Sequence, residues 1–252
     1  LEVMASANGY QACGDYGSGR MPEPDEIEDA ILQMLETDRF LKGKKVLITA
    51  GPTQEAIDPV RYITNHSTGK MGYALALAAR NFGAEVTLVS GSVSLQKIRG
   101  IETVNVISAA DMAEAVLTRQ KESDVMILAA AVADYTPVVK AAEKIHKGAD
   151  GFAIACTGTT DILRTLGEHK EKGQILIGFS METEDMLRRT REKLTKKNCD
   201  YICANNLKEK GAGFGTDTNH ITVLSKKTEK DLPMMSKYET ACNILKYCMK
   251  GE

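Results

Sequence analysis

The residues of this chain that could do chemistry are densest in the stretch RYITNHSTGKMG, residues 61–72. It places a guanidinium at Arg61 and an amide at Asn65 before the run STGKMG, which has the small residues and the lysine of an anion-binding turn. Free amides at a helix start hold phosphates or carboxylates, and small residues let such an anion approach the backbone. Alternatively, the glycines only allow close packing of a helix on a sheet. The stretch alone favours neither interpretation.

Neither of the standard nucleotide-binding motifs describes this stretch. A dinucleotide-binding fold carries G-x-G-x-x-G directly after its first strand, whereas Gly51 is followed by Pro52 and a long excursion to Gly69. A P-loop needs Ser or Thr after its Gly-Lys pair, but Met71 follows Lys70 here. An NAD(P)-dependent oxidoreductase of Rossmann-like fold, the main alternative function, therefore lacks its expected fingerprint.

Other stretches also carry polar groups that could meet a ligand. AAAVADYTP puts Asp134 after small residues at a predicted strand end, and AAEKIHKG (141–148) holds three basic-type side chains in four positions. Lys193 and Lys197 lie one helical turn apart on one side of a predicted helix. ICANN (202–206) ends a strand with two amides, which cannot stay buried without hydrogen-bond partners. A charge run taken alone is more often a solvated face, so these groups gain meaning only if the fold brings them together.

The elements that must position these groups alternate along the chain. KKVLITAG (44–51) is a continuously apolar, β-branched run, as expected of a strand covered on both faces. Alternating strands and helices form right-handed βαβ units, so we predict an α/β fold: a doubly wound, mainly parallel, Rossmann-like sheet with helices on both faces. In such a sheet, ligands bind beyond the carboxyl ends of the strands. The further predicted strands are 84–91, 102–108, 124–132, 174–180, 200–205 and 220–225, and the predicted helices are 69–83, 109–120, about 183–198 and a terminal helix.

Composition bounds the remaining possibilities. The chain has 252 residues and a formal net charge of −2, which gives no field that would attract nucleic acid. No apolar run approaches the length of a membrane span and the start has no secretory h-region, so we expect a cytoplasmic protein without a membrane partner. The six cysteines fit reduced thiols, and Cys199 and Cys203 lack the second pair that a zinc site needs.

Six motifs in one order carry a resemblance to a known family. They are ITAGPTQEAIDPVRYITNHSTGKMG, AAAVADY, EKIHK, DIL, IGFSMETED and ICANN. From about Gly43 onward the chain resembles phosphopantothenoylcysteine synthetase, the ligase half of the bacterial bifunctional coenzyme A biosynthesis flavoprotein. QACGDYGSGRMPEP (11–24), before an amphipathic helix, resembles the end of the decarboxylase half. We therefore expect a decarboxylase remnant over residues 1–42 and a synthetase domain over residues 43–252, in a chain that begins at Leu1 within a longer protein.

The resemblance implies a CTP-dependent ligase of coenzyme A biosynthesis. The carboxylate of 4′-phosphopantothenate attacks the α-phosphate of CTP, giving an acyl-cytidylate and pyrophosphate. The amine of L-cysteine then takes the acyl group and CMP leaves. The resemblance also implies a homodimer and Mg²⁺ with CTP, although the sequence names no metal ligand; ATP is the family's alternative nucleotide. FMN and a proton-donor role for Cys13 are expected only with an intact decarboxylase half.

The family's functional positions carry over residue by residue. Asn65, Lys144 and Arg61 match catalytic positions. The resemblance places Asn65 on the acyl-cytidylate and Lys144 on the phosphates, where a cation covers the charge that develops at phosphorus. The nucleotide-binding positions are Ala130, Ala131, Asp134, Lys144, Thr160, Asp161, Ile162, Leu163, Phe179, Lys193 and Lys197. The substrate-binding positions are Asn65, Gly69, Lys70 and Asn205.

Two departures from the family pattern bear on these expectations. The family's basic run is K-x-K-K, and His146 replaces its middle lysine, so the charge at that position depends on pH. Thr159 and Thr160 stand where the family commonly has Asn-Pro before the aspartate of the segment that reads the base. Main-chain contacts to a base can survive that change, but the choice between CTP and ATP is left to measurement.

Overall fold

The chain divides into two compact units, Leu1–Phe40 and Leu41–Glu252. The structure is a computed structural model in which residues 3–35, 37–147, 151–182, 185–206 and 211–251 are described. Two expected features lie partly outside these residues: the end of the basic segment at Gly148 and the start of the helix expected from Thr183.

The smaller unit contains a hairpin and a helix. Strands β1 (Ala7–Tyr10) and β2 (Tyr16–Arg20) pair antiparallel, and helix α1 (Pro24–Leu35) follows. The apolar spacing predicts this helix, and a proline fits the first turn because its missing amide would have no helical partner there. The hairpin is not predicted, since its short, glycine-rich strands show no apolar alternation.

The larger unit is built on one large sheet and two small ones. In chain order its strands are β3 (Lys45–Ala50), β4 (Gln54–Ala56), β5 (Tyr62–Thr64), β6 (Glu85–Ser90), β7 (Glu102–Asn105), β8 (Val125–Leu128), β9 (Tyr135–Pro137), β10 (Cys156–Gly158), β11 (Ile175–Glu182), β12 (Tyr201–Asn206), β13 (Thr218–Ser225) and β14 (Glu229–Ser236). β4 pairs with β5, and β9 with β10, in two small antiparallel sheets. The other eight form one sheet in the order β14-β13-β12-β11-β8-β3-β6-β7.

The large sheet is parallel except at one edge. All neighbouring strands from β12 to β7 run parallel, whereas β13 and β14 are antiparallel. This confirms the predicted α/β fold with a mainly parallel sheet. β14 is not predicted, because its charged sequence and Pro233 do not read as a strand. Such features suit an edge strand, which needs fewer ladder hydrogen bonds and repels edge-to-edge pairing.

The helices cover the sheet and complete the core. They are α2 (Lys70–Asn81), α3 (Ala109–Leu117), α4 (Ile162–His169), α5 (Met186–Lys196) and α6 (Lys237–Lys250). Leu47 of β3, Met126 of β8 and Leu176 of β11 are at most 1% exposed and join one apolar cluster with α3, α4 and α5. This burial explains why the predicted strands are continuously apolar rather than alternating.

The one helix that sequence reasoning missed, α4, has a packing role. Gly167 allows α4 to lie against the end of α5, because a side chain there would collide with the carbonyl oxygen of Lys197. The Asn198 side-chain amide donates to the Gly167 carbonyl oxygen at 2.9 Å and fixes the same approach. With α4 packed in this way against the end of α5, the Lys197 side chain forms an ion pair with Asp161, the N-cap of α4.

The segment 141–147 has neither helix nor strand. Within the described ranges, no helix is long and apolar enough to cross a membrane. The same ranges contain no group of three or more His, Cys, Asp or Glu side chains that could hold a metal ion.

Candidate active site

Two neighbouring cavities lie where the parallel strands β3, β8, β11 and β12 end. The first, here named the Lys193 cavity, has a volume of about 320 Å³. The second, the Gly69 cavity, has a volume of about 190 Å³. Ala130 and Phe179 line both of them. This is the edge of the sheet at which an open α/β fold binds its ligands.

Most of the predicted nucleotide-binding residues line the Lys193 cavity. The exceptions are Ala131 and Lys144, which line neither cavity. Its side walls come from the loop after β8, which carries Asp134, and from the segment that begins α4. Thr159 ties these two walls together, because its hydroxyl donates to the Ala133 carbonyl oxygen at 2.6 Å and its amide donates to the Asp134 carbonyl oxygen at 2.9 Å. The threonine that departs from the family pattern is therefore a structural link.

Two lysines supply positive charge to the Lys193 cavity. Lys193 Nζ donates to the Phe179 carbonyl oxygen at 2.8 Å, and Lys197 Nζ forms an ion pair with Asp161 Oδ2. Burial lowers the pKa of Lys197, although the nearby Cys199 and Asp134 oppose that shift. Since burial weakens hydration of an ammonium group, an anion that enters this cavity replaces lost solvent contacts.

Asp161 has a structural role besides its ion pair. Its other oxygen, Oδ1, accepts from the Arg164 amide at 3.0 Å and so caps the start of α4. The cap orders the main chain of residues 160–163 at the cavity wall. Main-chain donors and acceptors held in this way can read the edge of a planar base, which is the role the family resemblance implies for this segment.

Asn65 lies beside the loop that separates the two cavities. Its side-chain amide donates to the Ala131 carbonyl oxygen at 3.0 Å. The Ala131 amide in turn donates to the Gly51 carbonyl oxygen at 2.9 Å, and Ala130 N donates to Thr49 Oγ1 at 3.1 Å. The structure therefore brings Asn65 and Ala131 together with the end of β3, although neither residue lines a cavity.

The Gly69 cavity is formed by the start of α2 and by the loop before β13. Gly69, Lys70 and Asn205, three of the predicted substrate-binding residues, line it. Lys70 Nζ donates to Asp217 Oδ1 at 2.6 Å and to the Gly215 carbonyl oxygen at 3.1 Å. These contacts hold the loop before β13 against the start of α2.

Sequence reasoning missed two residues of the Gly69 cavity, Lys237 and Asn219. Lys237 is only 8% exposed, and its ammonium donates to the carbonyl oxygens of Thr216 at 2.6 Å and Thr218 at 3.0 Å. Burial, and then repulsion from Lys70, lower the pKa of Lys237. The signal that could have been read is a lysine at the start of a helix, where cations are unfavourable.

Two amide oxygens in this cavity are left without partners. Asn205 Oδ1 and Asn219 Oδ1 are buried and accept no hydrogen bond within the described part of the chain. Both residues are at most 4% exposed and both line the Gly69 cavity. The expectation that the Asn205 amide finds a protein partner is thus not met there. Because an unpaired buried acceptor is costly, these oxygens offer hydrogen-bond sites to a ligand.

Arg61 and Lys144 lie in a different place from the cavity-lining residues. Arg61 donates from Nε and Nη2 to Asp58 Oδ2, at 3.0 and 2.6 Å. Lys144 is exposed in the segment 141–147. Cys13 belongs to the smaller unit, where its exposed thiol lies 3.6 Å from Gln11 Oε1. The structure therefore gathers most of the predicted nucleotide-binding and substrate-binding residues at the two cavities, whereas Arg61, Asn65, Ala131 and Lys144 line neither cavity.

The geometry defines a Rossmann-like protein with paired ligand cavities, and comparison with known proteins gives its family. Residues 41–251 match the family described as DNA/pantothenate metabolism flavoprotein, C-terminal domain. The chain belongs to this family, which confirms the resemblance inferred from its motifs.

Relatives and solved structures agree with that assignment. The chain is 51% identical over 243 residues to the coenzyme A biosynthesis bifunctional protein CoaBC of Bacillus subtilis (strain 168), covering 95% of this chain and 60% of that protein. It is similar to the crystal structure of the C-terminal domain of CoaBC, with a TM-score of 0.72 and 44% identity over 84% of this chain and 97% of the other. The DNA/pantothenate metabolism flavoprotein from Streptococcus pneumoniae has a TM-score of 0.73 and 25% identity, over 83% and 100% of the two chains. The chain spans about 60% of the length of the Bacillus relative.

Proposed function

We propose that this chain joins 4′-phosphopantothenate to L-cysteine at the expense of CTP, through an acyl-cytidylate. The observation that carries the proposal is the pair of cavities with a shared wall at Ala130 and Phe179. A two-substrate activation needs a nucleotide and an acid side by side, with the reacting atoms at the junction. The 51% identity to a protein named as a coenzyme A biosynthesis bifunctional enzyme supports this assignment.

In the proposed reaction the Lys193 cavity holds CTP. Lys193 and Lys197 lie at its wall and offer two ammonium groups to the triphosphate. The main chain of residues 160–163 offers donors and acceptors to the cytosine edge. Cations held in a partly buried wall interact more strongly with phosphate than they would in water, so they favour both binding and attack at the α-phosphorus.

The Gly69 cavity then holds 4′-phosphopantothenate. The amides at the start of α2 and the ammonium of Lys70 suit its phosphate, because a helix start attracts anions. The unpaired oxygens of Asn205 and Asn219 suit the hydroxyl and amide groups of the pantothenate part, which donate hydrogen bonds. With the phosphate held at α2, the carboxylate at the other end of the molecule is directed to the wall shared with the nucleotide.

The chemistry at the junction takes two balanced steps. A carboxylate oxygen of 4′-phosphopantothenate bonds to the α-phosphorus of CTP, and the bond from that phosphorus to the pyrophosphate oxygen breaks. The amine of cysteine then bonds to the acyl carbon, the bond from that carbon to the phosphate oxygen breaks, CMP leaves with that oxygen and its electron pair, and the amine loses a proton. Asn65 lies next to this junction and can donate from its amide to the acyl oxygen after releasing Ala131.

Mg²⁺ is proposed to accompany CTP and to neutralise charge on the triphosphate. This ion commonly takes one or two carboxylates and several phosphate oxygens or waters. Asp134 lines the Lys193 cavity and, unlike Asp161, forms no ion pair with another described residue, so its carboxylate fits such a role. FMN, which the resemblance assigns to a decarboxylase half, takes no part in the proposed reaction.

The organisation of the protein is also part of the proposal. Residues 1–42 are assigned to a decarboxylase remnant and residues 43–252 to the synthetase domain. The two small sheets and the segment after β9 expose apolar side chains: Tyr62 of β5 is 50% exposed, Tyr135 of β9 is 64% exposed and Val139 after β9 is 76% exposed. A homodimer that covers them is proposed, which sedimentation velocity would test. In the described part of the chain none of the six cysteines forms a disulfide, and a location in the reducing cytoplasm is proposed.

Pyrophosphate release tests the proposed function. We expect release to require both CTP and 4′-phosphopantothenate, and 4′-phosphopantothenoylcysteine to appear by mass spectrometry only when L-cysteine is added. The controls omit each substrate in turn and replace CTP by ATP. Failure to release pyrophosphate with either nucleotide would contradict the proposal, and NAD(P)H turnover would instead favour an oxidoreductase.

A further inference from the structure

The segment that carries Lys144 is anchored to one loop. This segment, residues 141–147, has no helix or strand of its own. The Ala141 amide donates to the Ile57 carbonyl oxygen at 3.0 Å. The Ile145 amide donates to Asp58 Oδ2 at 3.1 Å, and Arg61 Nη2 donates to the Ile145 carbonyl oxygen. All three partners belong to the loop between β4 and β5.

Asp58 is the buried carboxylate of that loop. It is 2% exposed, although Arg61 beside it has a side chain that is 46% exposed. Its two carboxylate oxygens accept hydrogen bonds from different groups. Oδ1 accepts from the amides of Val60 and Arg61, each at 2.8 Å, and closes the turn. Oδ2 accepts from the Arg61 guanidinium and from the Ile145 amide.

These contacts keep Asp58 charged and link it to Lys144. Burial raises the pKa of Asp58, but the hydrogen bonds from Ile145, Val60 and Arg61 outweigh burial and hold the pKa well below its usual range. Arg61 balances that charge and also donates to Ile145, so both main-chain polar groups of Ile145 are held. Lys144 directly precedes Ile145. A fixed Ile145 therefore restricts where the Lys144 side chain can begin.

We propose that Asp58 is a positioning residue for the ligase reaction: with Arg61 it clamps Ile145 and so fixes the segment from which Lys144 acts on the nucleotide phosphates. This rests on the proposed function, within which Lys144 has the role that the family resemblance implies, a contact with the nucleotide phosphates. In this account the contribution of Arg61 is also one of position, since its guanidinium is directed at Asp58 and Ile145.

Asp58→Asn separates the clamp from the turn. An asparagine keeps one oxygen for the amides of Val60 and Arg61. Its other group becomes an NH₂ donor, which then faces the donors of Arg61 and Ile145, so the clamp is lost while the turn remains. Asp124→Asn is the matched control. Asp124 also accepts from a main-chain amide, Lys45 at 2.8 Å, and from a lysine, but it lies at the amino end of β8, away from the cavities.

Hydrogen exchange gives the first readout. In the Asp58→Asn variant we expect the Ile145 amide to exchange at least about tenfold faster than in the parent, because a hydrogen bond to a charged group is lost. The Asp124→Asn variant should leave peptides that span residues 141–147 unchanged. This measurement does not depend on the reaction, so it decides whether the clamp exists even in a protein that releases no pyrophosphate. A parent protein that releases no pyrophosphate would contradict the proposed function and the positioning role, whatever the exchange at Ile145.

Kinetics give the second readout, which separates a positioning role from a general loss of structure. We expect pyrophosphate release at saturating CTP to fall about tenfold or more in Asp58→Asn, with the dissociation constant of CTP within about twofold of the parent's. In a Lys144→Gln background the Asp58→Asn change should cost nothing further, since it acts through Lys144.

Three results would overturn the inference. They are unchanged exchange at Ile145, losses that multiply in the Asp58→Asn/Lys144→Gln double variant, and weaker CTP binding that accounts for the whole loss of rate. If Asp58→Asn does not fold, Arg61→Gln replaces it, because that change leaves the Asp58 turn intact and removes the contact with the Ile145 carbonyl oxygen. Faster exchange of residues 141–147 in Arg61→Gln would then support the clamp, and parent-like exchange would refute it.

Discussion

The ion pair between Lys197 and Asp161 predicts opposite effects on the affinity for CTP when each of its two residues is replaced. In the proposed complex, Lys197 leaves Asp161 and contacts the triphosphate of CTP. Lys197→Met should therefore weaken CTP binding, since it removes the cation. Asp161→Asn should tighten it or leave it unchanged, because it removes a competing partner and a like charge while an asparagine caps α4 as well as an aspartate does.

The magnitudes follow from the exposure of the two side chains. Lys197 is 17% exposed and Asp161 is 43% exposed. A largely buried ammonium group that donates to phosphate contributes about 1.5–3 kcal/mol, so Lys197→Met should raise the dissociation constant of CTP by about 10- to 100-fold. The existing pair is partly solvent-screened and contributes less than about 1 kcal/mol, so Asp161→Asn should gain no more than about fivefold in affinity.

Titration calorimetry with CTP in the absence of the other substrates measures both effects. Lys196→Met is the matched control, because it removes the same charge from an exposed neighbour in the last turn of α5. Equal dissociation constants for Lys196→Met and Lys197→Met would refute the assignment of Lys197. Asp161→Asn binding CTP as weakly as Lys197→Met would refute the competition and show that Asp161 itself contacts the nucleotide or its metal.

Four further predictions concern the remaining residues of the proposed site. Lys144→Gln should reduce acyl-cytidylate formation by about 100-fold or more while CTP binding falls less, and near-normal turnover would exclude the role given to Lys144. CTP should have a much larger kcat/KM than ATP, because residues 160–163 pair with the edge of one base; equal values would contradict base reading. Asn65→Asp should still release pyrophosphate but transfer little acyl group to cysteine, so acyl-cytidylate should accumulate in mass spectra. A variant that only loses stability would instead make Asn65 a structural link to Ala131. Asn205→Leu should raise the free energy of unfolding by about 1 kcal/mol, since a buried unpaired acceptor is removed, while the KM for 4′-phosphopantothenate rises at least about tenfold; an unchanged KM would exclude Asn205 from the substrate site.

The large sheet could be predicted because its strands satisfy a strong local rule. Residues 46–50 and 125–127 are buried, so nearly all of them are apolar, and helices separate the two strands. β4, β5, β9 and β10 could not be predicted in this way. Each has three residues, which is too short for a period of two to be read, and each is set by tertiary pairing.

The site could be predicted only where its residues form linear motifs. Asp134 comes from one stretch of the sequence and Lys193 and Lys197 from another, and the fold places all three on one cavity, as the rule for strand ends anticipates. Lys237 and Asn219 belong to no motif. Their place in the Gly69 cavity depends on the antiparallel edge of the sheet. The sequence predicts a strand within β13 at this edge but does not predict β14.

The run STGKMG fits both interpretations that the sequence leaves open, close packing and a ligand cavity. Gly72 serves packing, because a Cβ there would lie 2.5 Å from the Cβ of Ala50 and 2.8 Å from the Thr49 carbonyl oxygen. Residues 67–72, Gly72 among them, also line the Gly69 cavity. Since Gly72 sets the distance of α2 from β3, it also sets where the amides at the start of α2 lie. A glycine variant would thus change packing and the cavity together, whereas Asn205, on a strand end outside this helix, changes the cavity wall alone.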